Sequence, residues 1–497
     1  MAKKNFKDWS KEDLIKHVEK LEKRKKYGLV WDEERTKEIF ELQALNGLPV
    51  LNDVPENAIT TNPEQPTHIL IEGDNYHALS VLNYTHEKAV DVIYIDPPYN
   101  TGNNDFRYND KYVNSDDGYR HSKWISFMQK RLILARDLLK DSGLIFISID
   151  DNEFAQLRLL CDEIFGEENF RNSIVMSRVK KNIREREFVK SLNFGHGTII
   201  FYGRTSDAVI KIPTKIQQKK ERWHSFDAPG IRKTMEYELF GLKPPKGRHW
   251  MYEENKAKDM IANGLLRPNA KSGKPEYCLK PSDTTMLDTN WTDLQEGDSA
   301  WIPNGGKNVA LLKRVISMHP NKNAIVLDFF AGSGTIADAT HEINQQDSGN
   351  RQSILCTNNE SNICTEVCYP RVKSLDVNLK YYRTSFVPAE PSDENKELLT
   401  RQSVEMLCLR ESAFEFVTET DVWKIFKNNQ HYTAILFDQL SIPDLKAELE
   451  TLDKPVSVYV FSLEDDNFAS EFADMKDKVK VCSIPEAILR VYRRIYQ

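Results

Sequence analysis

Short apolar runs alternate with amphipathic segments through much of the chain. The runs HILIEGDN, DVIYID, LIFISIDD and GTIIFYG are rich in β-branched and aromatic residues and end at Gly or Asp, which predicts β-strands. Between DVIYID and LIFISIDD, a helix ending at Gly143 is predicted from apolar residues at helical spacing, namely Ile125, Met128, Leu132, Ala135 and Leu139. Alternating strands and helices predict a parallel α/β sheet.

The same alternation stops near residue 206 and resumes after residue 300. NVALLKRVISMH predicts a helix, NAIVLDFFAGSGTIADATHEI a strand, a glycine turn and a helix, and SILCTNNE a further strand. The interrupting segment is polar, is basic at its start, and contains Trp223, Phe226, Trp250, Tyr252 and Trp291. After VPAEPSDENK, the strands HYTAILFD, PVSVYVFS and VKVCSI alternate with helices, which predicts a small separate α/β domain.

These patterns divide the chain into five predicted segments. They are a helical lead-in and linker (1–66), a first core part (67–205), an insert (206–300), a second core part (301–386) and a C-terminal α/β domain for dimerisation or partner docking (387–497). At the end of LIFISIDD, Asp150 is predicted to cap the next helix, with Glu153 three residues later completing a capping box.

Charge is distributed unevenly although the net charge is only −7. Residues 178–248 contain 17 Lys and Arg against 7 Asp and Glu, whereas residues 387–497 contain 13 against 21. A basic middle and an acidic C-terminal part indicate different partners, and the basic part favours nucleic acid. The candidate DNA contacts are Lys180, Lys181, Arg184, Arg186, Lys219, Lys220, Arg222 and Lys246, which suit phosphates, and Arg248, which could reach a guanine edge.

The chain has the features of a cytoplasmic protein. It lacks both an apolar stretch long enough to span a bilayer and the apolar core of a signal peptide, so no membrane association is expected. Seven cysteines at irregular spacing favour free thiols in a reducing compartment. Cys356, Cys364 and Cys368 have no fourth partner at zinc-like spacing, so we predict a structural role and no metal site.

The stretch YIDPPYN places chemistry at the end of a strand. Proline cannot donate to a sheet ladder, so Pro97 and Pro98 end the strand and stiffen the turn. Asp96 and Tyr99 then stand at the strand's exit, where functional loops of α/β folds lie.

A second candidate site is VLDFFAGSGT. Gly332 and Gly334 lie at a strand-to-helix turn, where backbone N–H groups can approach a ligand closely. The stretch lacks the third glycine of a dinucleotide fingerprint and the Gly-Lys-Ser/Thr of a P-loop. Glu360 at the tip of the next strand could accept hydrogen bonds from ribose hydroxyls, so a cofactor with a ribose and no long phosphate chain is predicted. Asp328 is predicted to brace the glycine turn through backbone N–H groups.

D-P-P-Y followed by F-x-G-x-G resembles the signature pair of amino-group DNA methyltransferases that use S-adenosylmethionine, in the order of the β class. The stretches IEGDN, YIDPPYNTGN, HSKWISFMQKRL, GLIFISIDDNE, EIFGEENF, GRHW, NWTDL and TNNESNIC resemble the modification subunit of type III restriction–modification systems. The resemblance runs from about residue 25 to the C-terminus. One departure is GGKNVALLKRVI, where that family often has Lys-Pro and this chain has Lys307-Asn308.

The resemblance implies a Rossmann-like methyltransferase core with 206–300 as a target-recognition insert, and S-adenosyl-L-methionine as the cofactor. It places Asp74 at the adenine amino group of the cofactor, Glu360 at its ribose and Lys307 nearby. The methionine part would lie over Phe330, Ala331, Gly332, Ser333, Gly334 and Thr335. The implied partners are double-stranded DNA, a second copy of the chain and a separate helicase–nuclease restriction subunit.

The acid and the two prolines suit methylation of an exocyclic amino group. The lone pair of that nitrogen is delocalised into the base, and acceptors at Asp96 and the Pro97 carbonyl would draw the nitrogen toward sp³. Tyr99 could stack on a base rotated out of the duplex. The sequence therefore predicts site-specific adenine-N6 methylation of DNA. The alternatives are cytosine-N4 methylation, a solitary epigenetic enzyme, or a recognition scaffold for a separate nuclease–translocase.

Overall fold

The computed structural model describes residues 46–62, 64–109, 111–178, 195–216, 221–279, 284–295, 306–464, 466 and 468–496, with residues 10, 11, 14, 15, 29–32, 36 and 38 of the N-terminal region. The strands are β1 Gly47–Asp53, β2 Thr67–Glu72, β3 Val90–Ile95, β4 Arg107–Tyr108, β5 Lys111–Tyr112, β6 Leu139–Ile149, β7 Phe170–Ser177, β8 His196–Gly203, β9 Thr214–Ile216, β10 Arg222–Ser225, β11 Asp227–Pro229, β12 Arg248–Trp250, β13 Leu266–Pro268, β14 Pro275–Leu279, β15 Thr284–Met286, β16 Asn290–Gln295, β17 Ile325–Asp328, β18 Gln352–Thr357, β19 Asn378–Pro388, β20 Glu415–Glu419, β21 Trp423–Lys427, β22 Tyr432–Leu436, β23 Val456–Phe461 and β24 Val479–Ile484. The helices are α1 Asn75–Thr85, α2 Arg120–Leu138, α3 Phe154–Phe165, α4 Glu254–Ala262, α5 Val309–Ser317, α6 Thr335–Asp347, α7 Tyr369–Lys373, α8 Asp393–Gln402, α9 Val404–Glu411, α10 Ile442–Glu450 and α11 Glu486–Tyr496.

The chain folds into two compact units, residues 1–211 with 289–497, and residues 212–288. In the first unit, ten strands form one sheet in the order β1-β19-β2-β18-β17-β3-β6-β8-β7-β16. The six strands from β19 to β6 run parallel to one another. Their apolar runs are buried, as expected for parallel strands covered on both faces.

The sheet is mixed at both flanks, whereas the sequence predicts a parallel arrangement. β1 is antiparallel to β19, and β8 is antiparallel to both β6 and β7. An apolar run marks a strand but does not give its direction, which depends on how the chain connects it to its neighbours.

The two motif strands meet at the centre of the sheet. β17 and β3 are neighbours, with Val326 opposite Val92 and Leu327 opposite Ile93. From β17 the chain passes through α6 to β18 on one side, and from β3 through α2 to β6 on the other. Connections that diverge in this way open a crevice at the carboxyl ends of the strands. The D-P-P-Y and glycine segments both begin at this crevice.

Three predicted boundaries differ from the structure. Residues 47–53, assigned to the helical lead-in, form edge strand β1. Helix α2 ends at Leu138, because Leu139 already pairs with Val90 in the sheet. Helix α3 begins at Phe154 with Glu153 at its N-cap and no side-chain cap, so the predicted capping box does not form. Asp150 instead accepts a hydrogen bond from the backbone of Asn152.

The C-terminal segment has its own five-stranded sheet, in the order β20-β21-β22-β23-β24. A small apolar core, including Leu445 and Val458, lies beside it. Helices α8, α9 and α11 also pack into the main core of the first unit, where Leu407 and Tyr492 join residues of β1 and α1. The segment is therefore attached to the core through apolar contacts.

The second unit, residues 212–288, lies inside the predicted insert. It contains the sheets β10-β14-β13, β11-β12 and β15-β9, with a core that includes Phe226, Trp250 and Leu266. Phe226 and Trp250 are thus structural residues of this unit. Trp291, also in the predicted insert, is buried at β16 in the first unit instead.

Two further properties concern the whole described chain. None of the helices in the described ranges is long and apolar enough to cross a membrane. The seven cysteines, all of them in described ranges, are free, as predicted. Cys356, Cys364 and Cys368 are completely buried.

Candidate active site

A pocket of about 560 Å³ lies at the crevice between the carboxyl ends of β17 and β3. It brings together residues of the D-P-P-Y and glycine segments with the two predicted cofactor acids, namely Asp96, Phe330, Gly332, Asp74 and Glu360. Phe127 and Phe106 add apolar surface to it. Aromatic rings beside several carboxylates form a lining suited to a ligand that combines an apolar ring, hydroxyl groups and positive charge.

Asp96, Tyr99 and Lys307 contact one another at one side of this pocket. The Tyr99 hydroxyl donates a hydrogen bond to Asp96 Oδ1 at 2.7 Å. Lys307 Nζ lies 3.0 Å from the same oxygen and donates to the Tyr99 hydroxyl at 2.9 Å. Lys307 is thus beside the D-P-P-Y loop, although 208 residues separate it from Tyr99.

The Pro98 carbonyl is already occupied. The buried Trp124 of α2 donates its indole N–H to the Pro98 oxygen at 2.7 Å. The acceptor predicted from the sequence is the carbonyl of Pro97. The Pro98 carbonyl anchors the D-P-P-Y loop to α2, so the acceptor role remains proposed for Pro97 alone.

Asp328 braces the glycine turn, as predicted. Its Oδ1 accepts a hydrogen bond from the Phe330 N–H at 2.9 Å. Burial raises the pKa of Asp328 to about 8, and the nearby negative charge of Asp96 adds to this effect. Asp328 therefore acts beneath the turn, and it is not among the residues that line the pocket.

The raised pKa of Asp328 gives a stability prediction. Between about pH 4 and 8, the Asp328 carboxyl keeps its proton in the folded state but has released it in the unfolded chain. The free energy of unfolding therefore falls as the pH rises to 8, and this group causes no further fall above pH 8. Asp328→Asn keeps the acceptor for Phe330 and removes the titration. We expect its stability relative to wild type to rise by about 1.4 kcal/mol per pH unit from pH 5 to 8. Unfolding midpoints compared across this range test it, and a difference independent of pH would contradict it.

Gly332 and Gly334 have different surroundings. Both have positive φ, +50° and +77°. A Cβ at Gly334 would lie 2.9 Å from the Cys368 sulfur, whereas the nearest atom to a Cβ at Gly332 would be the Phe330 oxygen at 3.8 Å. Gly332 lines the pocket. The sequence predicts close ligand approach at both glycines, and at Gly334 packing against Cys368 is a further reason for a residue without a Cβ.

Gly334→Val and Gly332→Ala are therefore expected to behave differently. A branched side chain at Gly334 meets Cys368 and imposes a strained backbone, so the unfolding temperature falls together with ligand affinity. Alanine at Gly332 has room within the protein but projects beside the ligand, so affinity falls with little change in unfolding temperature. Calorimetry with S-adenosylmethionine and thermal unfolding of both variants measure this. Equal losses of stability in the two variants would be the contrary result.

Ala331, Ser333 and Thr335 of the glycine segment are not among the residues that line the pocket. The hydroxyls of Ser333 and Thr335 accept hydrogen bonds from Arg371 at 3.2 and 2.9 Å. Arg371 also pairs with Asp338 at 2.6 Å. Ala331 is buried. The contacts of Arg371 with Ser333, Thr335 and Asp338 hold the start of α6 in place.

Glu360 lies in a short 3₁₀ turn just after β18, not at the strand tip itself. It forms an ion pair with Arg107 at 2.8 Å, with both side chains about 40% exposed (45% and 38%). The Arg107 guanidinium also stacks on Tyr112, 4.4 Å from the ring centre. The hairpin of β4 and β5 thus reaches the pocket margin through Arg107.

Arg131 is the main site residue that the sequence analysis missed. It is completely buried in α2 and donates to Asn75 Oδ1 at 2.5 Å and to Glu38 at 3.0 Å. It also lies 3.4 Å from Asp74, which caps α1 by accepting a hydrogen bond from Tyr76. A signal was present, because Arg131 follows Met128 by three positions and so falls on the predicted apolar face of the helix.

The predicted DNA contacts are only partly described. Lys180, Lys181, Arg184, Arg186, Lys219 and Lys220 lie outside the described residues. Arg222 and Lys246 are exposed in the second unit. Arg248, the candidate guanine reader, pairs with the carboxylate of Asp227 and donates to its backbone carbonyl at 3.0 Å. In this conformation Arg248 is held within its own unit.

Residues 90–368 match the N6/N4 DNA methylase family. The match spans more than half of the 497 residues and contains both motif strands, the second unit and Glu360. The chain belongs to this family, and its first unit has the α/β methyltransferase fold.

Curated relatives with similar sequence include three named proteins. The chain is 32% identical over 360 residues to the StyLTI Mod subunit, a type III restriction–modification enzyme of Salmonella typhimurium, covering 62% of this chain and 55% of that protein. It is 30% identical over 344 residues to the type II methyltransferase M.KpnI of Klebsiella pneumoniae, covering 60% and 82%. It is 30% identical over 376 residues to the type III EcoPI Mod subunit of Escherichia phage P1, covering 59% and 58%. The chain thus spans little more than half the length of the two Mod subunits.

Proposed function

We propose that the chain is a site-specific DNA methyltransferase that transfers a methyl group from S-adenosylmethionine to N6 of adenine in double-stranded DNA. The observation that carries the proposal is the position of Asp96. Its carboxylate stands at the carboxyl end of β3, in the same pocket as Gly332 and Glu360. An acceptor for the amino group and a ligand pocket therefore share one crevice.

The pocket has the hydrogen-bond acceptors, aromatic rings and space that S-adenosylmethionine needs. Gly332 provides a surface without a Cβ, and Glu360 offers oxygens to two ribose hydroxyls. Asp74 offers an acceptor for the adenine amino group, and Phe330 and Phe127 offer rings against which the ligand can pack. Glu360 would exchange its ion pair with Arg107 for the ribose. When bound, the cofactor supplies an electrophilic methyl group on a sulfonium.

Asp96 would act on the amino group of the flipped base. Tyr99 and Lys307 both contact its Oδ1, so the proposal assigns Oδ2 and the Pro97 carbonyl to the two N–H groups of the target. Two acceptors would draw the nitrogen toward sp³ and free its lone pair to bond to the methyl carbon, while the carbon–sulfur bond breaks and its electron pair stays on sulfur. The nitrogen loses one proton, which the Asp96 carboxylate can hold. Lys307 would hold the Asp96 carboxylate in position through its contact with Oδ1.

Adenine is preferred to cytosine because an acid occupies the first position of D-P-P-Y, where cytosine-N4 enzymes more usually have serine. Incubation of the purified chain with methyl-labelled S-adenosylmethionine and unmethylated DNA tests this. Mass spectrometry of the digested nucleosides should give N6-methyladenine. Labelled N4-methylcytosine would move the activity to cytosine, and the absence of label from DNA would overturn the proposal.

The chain would work as the modification subunit of a type III restriction–modification system. The Mod subunits named above support this assignment, and the acidic C-terminal segment offers a surface for a second copy or for a restriction subunit. Sequencing-based mapping of methylated bases in cells that express this chain alone would give the recognition sequence. Size measurement with and without a candidate restriction subunit would distinguish this role from that of a solitary enzyme.

A further inference from the structure

Glu153 is a completely buried carboxylate whose position no cap or surface role explains. Its Oε1 accepts a hydrogen bond from Asn100 Nδ2 at 2.5 Å and lies 2.7 Å from His121 Nδ1. Burying a carboxylate costs free energy unless polar partners compensate for the lost water. The partners at this site lie on the D-P-P-Y loop and on α2, so the function of Glu153 should be sought there.

Asn100 is the residue that follows D-P-P-Y. It is completely buried and has a left-handed backbone conformation, with φ of +56°. A residue other than glycine keeps this conformation when its surroundings hold it. The Asn100 amide donates to Glu153 and, at 3.3 Å, to the Arg120 carbonyl. The side chain of Asn100 therefore fixes the turn that follows Tyr99.

His121 completes the arrangement from the first turn of α2. Arg120 Nε donates to His121 Nε2 at 3.1 Å, which places the imidazole proton on Nδ1, facing Glu153. Glu153 then accepts two hydrogen bonds at Oε1. Burial raises the pKa of Glu153, while the hydrogen bond from Asn100 and the contact with His121 oppose that rise.

Two buried anchors thus flank Tyr99. Trp124 holds the carbonyl of Pro98 on one side, and Glu153 holds Asn100 on the other. Tyr99 in turn donates to Asp96. A shift of Asn100 would move Tyr99 and with it the carboxylate that receives the target base.

We propose that Glu153 is a positioning residue, which acts through Asn100 to hold Tyr99 and Asp96 in the geometry needed for methyl transfer. The proposal rests on the function proposed above. Glu153 itself does not line the pocket, so it affects the reaction through the loop and not by touching substrate or cofactor.

The kinetic test uses Glu153→Ala, Asn100→Ala and the double variant in the full chain. A displacement of reacting groups by about 1 Å costs roughly 10²-fold in rate, so each single variant should lose about that much in kcat. The dissociation constant for S-adenosylmethionine and the KM for DNA should change less than threefold. Since both residues act through one contact, the double variant should be no slower than the slower single variant. Losses that multiply would overturn the proposal.

A conservative variant and a matched control separate positioning from general destabilisation. Glu153→Gln retains an acceptor of the same size and should recover most of the activity, because neutral hydrogen bonds to Asn100 and His121 remain possible. Glu167→Ala removes an exposed carboxylate just beyond α3 and should leave kcat unchanged. If kcat falls only in proportion to unfolding temperature across the series, Glu153 is a stabilising residue and the proposal is wrong.

Hydrogen–deuterium exchange gives a readout that does not depend on catalysis. In Glu153→Ala, backbone amides of residues 99–106 should exchange faster than in wild type, while those of β17 and β18 remain protected. In Glu153→Gln, exchange at 99–106 should stay close to wild type. Unchanged exchange at 99–106 in Glu153→Ala would overturn the proposal. If wild type transfers no methyl group to DNA, the function proposed above fails, and the exchange result still decides whether Glu153 holds the loop.

Discussion

Replacing Asp96 by alanine should abolish methyl transfer while leaving S-adenosylmethionine binding largely intact. The carboxylate is the acceptor proposed for the target amino group, and it lies at one side of the pocket beside Tyr99 and Lys307. Removal of one preorganised polar contact to a reacting group typically costs 10²–10³-fold. Asp96 is also proposed to hold the released proton, so we expect a loss of at least about 10³-fold in the rate of transfer.

The measurement is single-turnover transfer of labelled methyl to DNA, with cofactor affinity determined by calorimetry on the same preparations. Asp116→Ala is a suitable control, because this exposed carboxylate lies 20 residues further along the chain. Near wild-type transfer by Asp96→Ala would disprove the catalytic assignment. A large loss of cofactor affinity would instead place Asp96 in the cofactor site.

The Asp96 variant also changes the surroundings of Lys307. Without the carboxylate, its ammonium group keeps only the Tyr99 hydroxyl among the contacts described above. Asp96→Asn keeps an acceptor of similar shape but removes the negative charge that attracts Lys307. Asp96→Asn should therefore bind the cofactor with the same affinity as Asp96→Ala and transfer the methyl group slowly. Comparing the transfer rates of the two variants separates the contribution of the carboxylate's charge from that of its shape.

The crevice could be predicted from the sequence because strand ends carry strong local signals. Two prolines after Ile95 mark where β3 ends, and two glycines after β17 mark a turn into α6. Both strands are parallel members of one sheet, so their carboxyl ends lie at the same edge. The bracing of the glycine turn by Asp328 was predictable for the same reason, since donor and acceptor are two residues apart.

The long-range contacts could not be predicted in this way. Glu38, Asn75 and Arg131 come from three separated segments, and their hydrogen bonds depend on how α1 and α2 pack. Glu153 has the spacing of a capping box, but the structure uses its side chain for Asn100, 53 residues earlier. The capping-box prediction is wrong for Glu153 because its side chain accepts a hydrogen bond from the distant, buried Asn100 and makes none with the nearby backbone. Such conflicts between local pattern and fold are expected at functional sites.

Strand β1 illustrates a different limit. The strand has only seven residues, GLPVLND, and contains a proline. The sequence pattern therefore places it at the end of the predicted helical lead-in. The partner of this strand, β19, lies more than 300 residues later, with Gly47 opposite Pro388. Proline is tolerated in β1 because this strand stands at the edge of the sheet. The proline is a local sign of an edge strand, but nothing nearby in the sequence indicates the partner of β1.

Exchanging residues 212–288 for the corresponding unit of a related enzyme should change the DNA sequence that is methylated and preserve the chemistry. We propose that this unit recognises the target, because the catalytic pocket would accept any flipped adenine and phosphate contacts position DNA without reading it. The unit has its own core around Phe226 and exposes basic side chains such as Arg222 and Lys246. Side chains of this kind can read base edges in the major groove.

The second unit is suited to such an exchange. Its first and last strands, β9 and β15, pair with each other, so the chain enters and leaves through neighbouring backbone segments. A graft at residues 212 and 288 exchanges this pair together with the rest of the unit and leaves the core of the first unit unchanged. Thermal unfolding will show whether the chimera folds, and mapping of methylated adenines gives its recognition sequence.

Because Asp96 and the glycine turn lie in the first unit, the modified base should remain N6-methyladenine. If an active chimera still marks the original sequence, recognition resides in the first unit, and the basic segment between β7 and β8 becomes the region to exchange next.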